Sequence, residues 1–197
     1  MVELAISVAL FAVLLLAATA GLQSILTTNQ VNQQVQTVAR LGGKVSALYA
    51  SGTSGVTQTE LIQVGGWASE SANASTGYIT SAFGTPETIA PNANTAGDMS
   101  PNTGFVLNIH HVPKAACADL GRGLSTLVYA MAIWGGNSDA SSNQNNNTHN
   151  EPPTGNGGWA DAAQTQLPGK PLNPLSLSSQ CSQTGQDLYT FIVFLKP

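Results

Sequence analysis

Charge is scarce in this chain. Only 8 % of its 197 residues are Asp, Glu, Lys or Arg, against about 25 % in ordinary soluble domains. Six basic residues face ten acidic ones, for a net charge of −4, which leaves no basic footprint for nucleic acid. Gly, Ser, Thr, Asn and Gln fill the gap, so the surface is polar but uncharged, as suits an extracellular protein or one packed against copies of itself. Histidine is also rare. His110 and His111 follow a strand-like run, where neighbouring side chains point to opposite faces, and His149 stands far from both. With only two cysteines, no zinc spacing exists, and the histidines read as structural or surface residues. Neither G-x-S-x-G nor G-x-x-x-x-G-K-[ST] occurs, so the corresponding serine hydrolase and phosphate-binding loops are excluded. The chain is not expected to be an enzyme, and no catalytic residue, cofactor or metal is expected.

The longest gap in charge is at the start. After Glu3 the next charged side chain is Arg40, and Leu4–Leu22 is an uncharged run of 19 residues. A secretory signal would have a basic n-region and a shorter apolar stretch. A membrane span fits the length, since about 20 apolar residues cross a bilayer core. It does not explain Glu3, because an ionisable group at a membrane helix is costly and usually has a partner. A carboxylate at a helix start is also favoured by the macrodipole. The only cation nearby in sequence is the α-amine of Met1, from the same chain or a neighbouring copy.

The helix is predicted to continue to about residue 50. Val31, Val35, Val38, Gly42, Val45 and Tyr49 recur at steps of four and three, with Leu41 and Leu48 widening the stripe; that is one helical face. Residues 1–24 form an apolar half and 25–50 an amphipathic half. Gly21 and the pair Gly42-Gly43 are weak points, since an interior helical glycine costs about 1 kcal/mol. The glycine-rich SGTSG at 51–55 ends the helix.

Residues 51–104 read as a connection, with a short helix or strand at Thr59–Val64, β character at Tyr78–Thr80, and Pro86, Pro91 and Pro101 punctuating a loop. Phe105–Ile109 is a strand, Pro113 opens a helix over Lys114–Leu124, and Ser125–Trp134 is a strand or the helix's continuation into one. Gly135–Gly158 has no apolar side chain larger than alanine apart from its prolines, so it is expected to be an exposed loop. Gln164–Pro174 reads as a second loop. Leu188–Leu195 (LYTFIVFL) is continuously apolar, as expected of a central strand buried on both faces. Trp67, Trp134 and Trp159 read as core or subunit-contact residues. Cys117 and Cys181 are either one disulfide, favoured by the membrane-targeting start, or two unrelated buried thiols.

These features resemble the type IV pilins, and within them the type IVb group that includes the thin-pilus subunits of conjugative plasmids. The resemblance is carried by Glu3 at an apolar N-terminus, the half-apolar, half-amphipathic helix, two cysteines 64 positions apart, the Gly104–Leu124 strand-turn-helix and the closing strand. One feature departs from it: in most members the glutamate sits two places further from the mature N-terminus.

The resemblance implies an α+β fold, a long helix packed on an antiparallel sheet head (105–197) with a disulfide-bounded region 117–181. It implies a homopolymer, held in the inner membrane before assembly and extracellular afterwards. Its partners would be a prepilin peptidase and the pilus assembly machinery, and its N-terminus would be methylated. Met1 and Glu3 become the assembly residues, Glu3 meeting the neighbour's N-terminal amine. Leu4, Ile6, Val8, Leu10, Phe11, Val13, Leu14, Leu15 and Leu16 become filament core, and the helix is expected to lose order around Gly21 once assembled. A type II secretion pseudopilin and a non-polymerising membrane-anchored enzyme or binding domain are the alternatives.

Overall fold

The computed structural model of the chain describes residues 2–50, 56–65, 72–73, 78–91, 104–135, 162–166 and 169–195. Helix α1 spans Val2–Leu48, about 70 Å at about 1.5 Å per residue. Its threonines do not compete with it. Thr27, Thr28 and Thr37 each donate their hydroxyl to the carbonyl four residues back, at 2.9 Å. Helix α2 (Gln58–Gly65) starts at a reciprocal cap: the Thr57 amide donates to Glu60 at 2.7 Å and the Glu60 amide to the Thr57 hydroxyl at 3.2 Å. Helix α3 is Lys114–Leu124, with Pro113 at its N-cap. Helix α4 (Pro174–Cys181) begins at Asn173, whose side chain accepts from the amides of Leu175 and Ser176.

Seven antiparallel strands form one sheet among the described residues. They are β1 (Ala72–Asn73), β2 (Tyr78–Thr80), β3 (Pro86–Pro91), β4 (Phe105–Pro113), β5 (Ala130–Gly135), β6 (Ala162–Gln166) and β7 (Leu188–Leu195), in spatial order β1-β2-β3-β4-β7-β5-β6. The register places Ile89, Leu107, Val193 and Met131 in one row across β3, β4, β7 and β5. All four belong to the main core, together with Val38, Leu41 and Val45 of α1 and Leu120 and Leu124 of α3. The opposite face carries a second cluster of Val106, Ala130, Ile192 and Phe194. Strand β7 is therefore the central strand its sequence predicts, with every side chain but Leu188 buried.

Three expectations need correction, and a fourth segment settles on the second of its two readings, the helix continuing into a strand. Pro86 and Pro91 do not mark a loop but delimit β3, where a missing N–H is tolerated at a strand end. Residues 51–104 are accordingly more than a connection, since β1, β2 and β3 lie within them and extend the head's sheet. Residues 164–166 belong to β6, and Pro174 opens α4 rather than closing a loop. The segment Ser125–Trp134 becomes a strand only at Ala130. Before that, Leu127 and Val128 donate back to the Leu124 carbonyl at 2.8 and 3.2 Å, and the Gln166 amide ties down the Ser125 and Val128 carbonyls. The expected loop at 136–158, His149, Trp67 and Trp159 lie outside the described residues.

Helices α3 and α4 approach closely at Gly121. A Cβ there would lie 2.5 Å from Leu177 Cδ1 and 3.4 Å from its Cγ, and Leu177 is buried. Overpacking costs about 1–3 kcal/mol, while helix propensity returns about 1 kcal/mol. Gly121→Ala is therefore expected to lower stability by about 1 kcal/mol, read as a lower urea midpoint with an unchanged slope.

Candidate functional site

The long helix changes character along its length. From Val31 onward it has a buried face, made by Val31, Gln34, Val38, Leu41 and Val45 at alternating steps of three and four. Val35 and Tyr49 are only partly buried, and Gly42 faces Leu195 at 3.7 Å. The stripe is thus rotated by about one residue from the valine pattern, bringing in Gln34 and Leu41. Leu48 does not widen it and is 62 % exposed.

Before Val31 none of the described side chains is buried. Val8, Phe11, Leu22, Ile25 and Leu26 are 61, 65, 61, 60 and 53 % exposed. Leu22, Ile25 and Leu26 are spaced as neighbours on one helical face, and exposed large apolar side chains grouped in this way mark an interaction surface. Glu3 lies on the helical backbone. Its side chain and those of Leu4, Ile6, Leu10, Val13, Leu14, Leu15 and Leu16 lie outside the described residues, as does Met1. Among the described residues no helix is long and apolar enough to cross a membrane. The helix passes through Gly21 without interruption, and among the described residues nothing beyond its own stretch of helix lies within 4 Å of where a Cβ would stand.

The two cysteines are joined. Cys117 of α3 and Cys181 of α4 form a disulfide with a Cα–Cα distance of 5.6 Å. It sits within the main core, and the Tyr189 hydroxyl of β7 donates to the Cys181 carbonyl at 3.1 Å. The bond links the two helices that flank the region 117–181.

His110 is buried, and its ring Nε2 lies 3.5 Å from the Thr88 hydroxyl, on the sheet face away from α1. His111 occupies an irregularity between Ile109 and Val112, with φ of 54°. Among the described residues no three of His, Cys, Asp and Glu gather into a group that could hold a metal.

One further pair was not visible in the sequence. Gln34 of α1 donates its side-chain amide to Glu87 of β3, both buried, and accepts from the Ala82 amide at 2.9 Å. Gln34 looks like one of several glutamines on a solvated face, and only the partner across the sheet distinguishes it.

No family model and no curated protein matches the sequence. Solved structures do. The chain is similar to TcpA, a type IV pilin from Vibrio cholerae El Tor biotype, at 16 % identity and a TM-score of 0.51, over 84 % of this chain and 98 % of that one. It is similar to the type IVb pilin from Salmonella typhi at 15 % identity and a TM-score of 0.51, over 84 % and 99 %. The fold is that of the type IV pilins. Both of these proteins are pilins, structural proteins rather than enzymes. In the pilin fold seen here the sheet, α2 and α3 hold the second half of α1.

Proposed function

We propose that this chain is the major structural subunit of a type IVb pilus, polymerising through the first half of α1 into an extracellular filament used for cell–cell contact in conjugation or adhesion. The observation that carries this is a pilin fold whose long helix presents exposed large apolar side chains before Val31, continuous with an uncharged run headed by Glu3. Side chains that suit lipid also suit neighbouring apolar helices, so the inner membrane can hold the segment before assembly and a helical bundle can hold it afterwards. Head-to-tail contacts that do not close give open filaments. A prepilin peptidase and an assembly machinery supply processing and energy, and the N-terminus is methylated. The chain itself binds no cofactor and no nucleic acid.

Electron microscopy of cells expressing the chain with such a machinery tests this. Long surface filaments with one repeating helical symmetry and this chain as the main component are expected. Short periplasmic fibres would instead assign a secretion pseudopilin. A detergent-extracted monomer with no fibre would overturn the proposal. The same reconstruction is expected to show α1 losing helical hydrogen bonds between Ala17 and Ser24, centred on Gly21. Unbroken helix through that stretch in the filament would refute the melting.

A further inference from the structure

We propose that Glu87 is carried in the folded head as a neutral carboxylic acid, bonded to Gln34 between α1 and the sheet, and that its burial makes the head less stable in alkali. The inference concerns the head alone and stands whether or not the chain polymerises.

Glu87 has no solvent exposure. Its register partners are Ile79 of β2 and Ile109 of β4, so apolar side chains flank it within the sheet. Of its two oxygens, Oε1 accepts from the Gln34 amide, and Oε2 has no hydrogen-bond partner among the described residues. An ionised carboxylate in that position would keep one neutral donor and leave its second oxygen dry, which is costly. A protonated one places the hydroxyl on that oxygen and spreads no charge into the core.

Among the described residues, the surrounding elements supply no compensating cation. From α1 the facing group is the neutral Gln34. Arg40, further along the helix, is exposed and bonds to the Gln36 carbonyl and the Thr37 hydroxyl, and Lys44 is also exposed. From α2, the titratable group Glu60 is exposed and turned back to Thr57. From β4, the His110 ring meets Thr88 on the opposite sheet face, and His111 sits half-buried in the irregularity beyond Ile109. Beyond β2, Ser81 and Thr85 bond to each other at 2.6 Å. Burial pushes the Glu87 carboxyl up to about 8 from an ordinary 4.5, the Gln34 bond lowering it only in part.

The other end of the Gln34 side chain is also occupied. Its carbonyl accepts from the Ala82 amide in the β2–β3 turn, so one side chain of α1 joins that turn to β3. A native carboxyl that holds its proton more tightly than the unfolded one stabilises the fold fully below its unfolded value. That contribution is lost as pH rises through its native value. Stability should therefore be greatest below about pH 4.5 and decline up to about pH 8, where the native group also ionises and the decline levels off.

The test uses the full chain in detergent, with Glu3→Gln as the background so that the N-terminal carboxyl contributes nothing. At pH 6 its infrared spectrum is expected to show the carbonyl band of a protonated carboxyl, disappearing with a midpoint near pH 8. Adding Glu87→Gln, which keeps the acceptor for Gln34, should remove the band. It should also flatten the decline in melting temperature between pH 5 and 8. Absence of the band at pH 6 in the parent would overturn the proposal even if the Glu87→Gln protein does not fold. Parallel melting curves for parent and variant would overturn it as well.

Discussion

If the chain polymerises as proposed, replacing Glu3 by alanine is expected to cut filament yield by about a hundredfold or more while the head stays folded and the amount of chain in the membrane fraction is unchanged. The head should be indifferent because its contacts with α1 begin at Val31, far along the helix from residue 3. Assembly should not be indifferent. If Glu3 pairs with a neighbour's amine among apolar helices, removing one partner of a buried pair costs about 3–5 kcal/mol, and each 1.4 kcal/mol is about tenfold in an equilibrium. If Glu3 merely favours the helix macrodipole, its loss costs about 0.3–1 kcal/mol, which is less than about fivefold in yield. Quantifying sheared filaments from parent and Glu3→Ala cells, with membrane-fraction levels as the control, separates the two. Wild-type yield would sink the pairing.

The double substitution Cys117→Ser with Cys181→Ser is expected to lower the melting temperature by about 10 °C. Cross-linking residues 64 apart contributes about 4 kcal/mol on the chain-entropy model, a large share of the roughly 5–15 kcal/mol that holds a typical domain. For a chain of this size each kcal/mol moves the midpoint by about 2–4 °C. The bond lies in the same buried apolar core as Leu177 and Leu120, so two hydroxyls would also enter an apolar site. Thermal melts of the oxidised parent, the reduced parent and the double variant check this, and the last two should fall together. A shift below about 2 °C in both would show that α3 and α4 hold their places without the bond.

The sequence made the long helix and the closing strand legible for different reasons. Leu188–Leu195 has no polar alternation except Thr190, and a strand with core on both faces needs none. Lys114–Leu124 was legible because Pro113 fixes its start and Cys117, Leu120 and Leu124 share one side. β3 is hidden in the sequence because a proline ordinarily signals a break, whereas Pro86 and Pro91 stand at the two ends of a strand. α4 was hidden because its start signal, Asn173 followed by Pro174, introduces PLSLSSQC, in which only Leu177 and Cys181 are buried. The proposed assembly residue Glu3 is legible as an anomaly, a lone acid before a long apolar run. The Gln34–Glu87 pair was not, because each residue is ordinary alone and 53 positions separate them.

The position of β7 has a consequence for how the head is made. Among the described strands it is the last in the chain, yet it lies between β4 and β5. Until Leu188–Leu195 is available, the sheet exists only as two unjoined pieces, β1 to β4 and β5 with β6. Each piece then has a bare apolar edge awaiting the same strand. Pairing across such separations is slow compared with local contacts, and open edges of this kind recruit strands from other chains. Synthesis of the chain from its N-terminal helix onward would therefore leave the head vulnerable until the final strand arrives, and a chain halted before Leu188 would be a seed for aggregation rather than a shortened version of the fold.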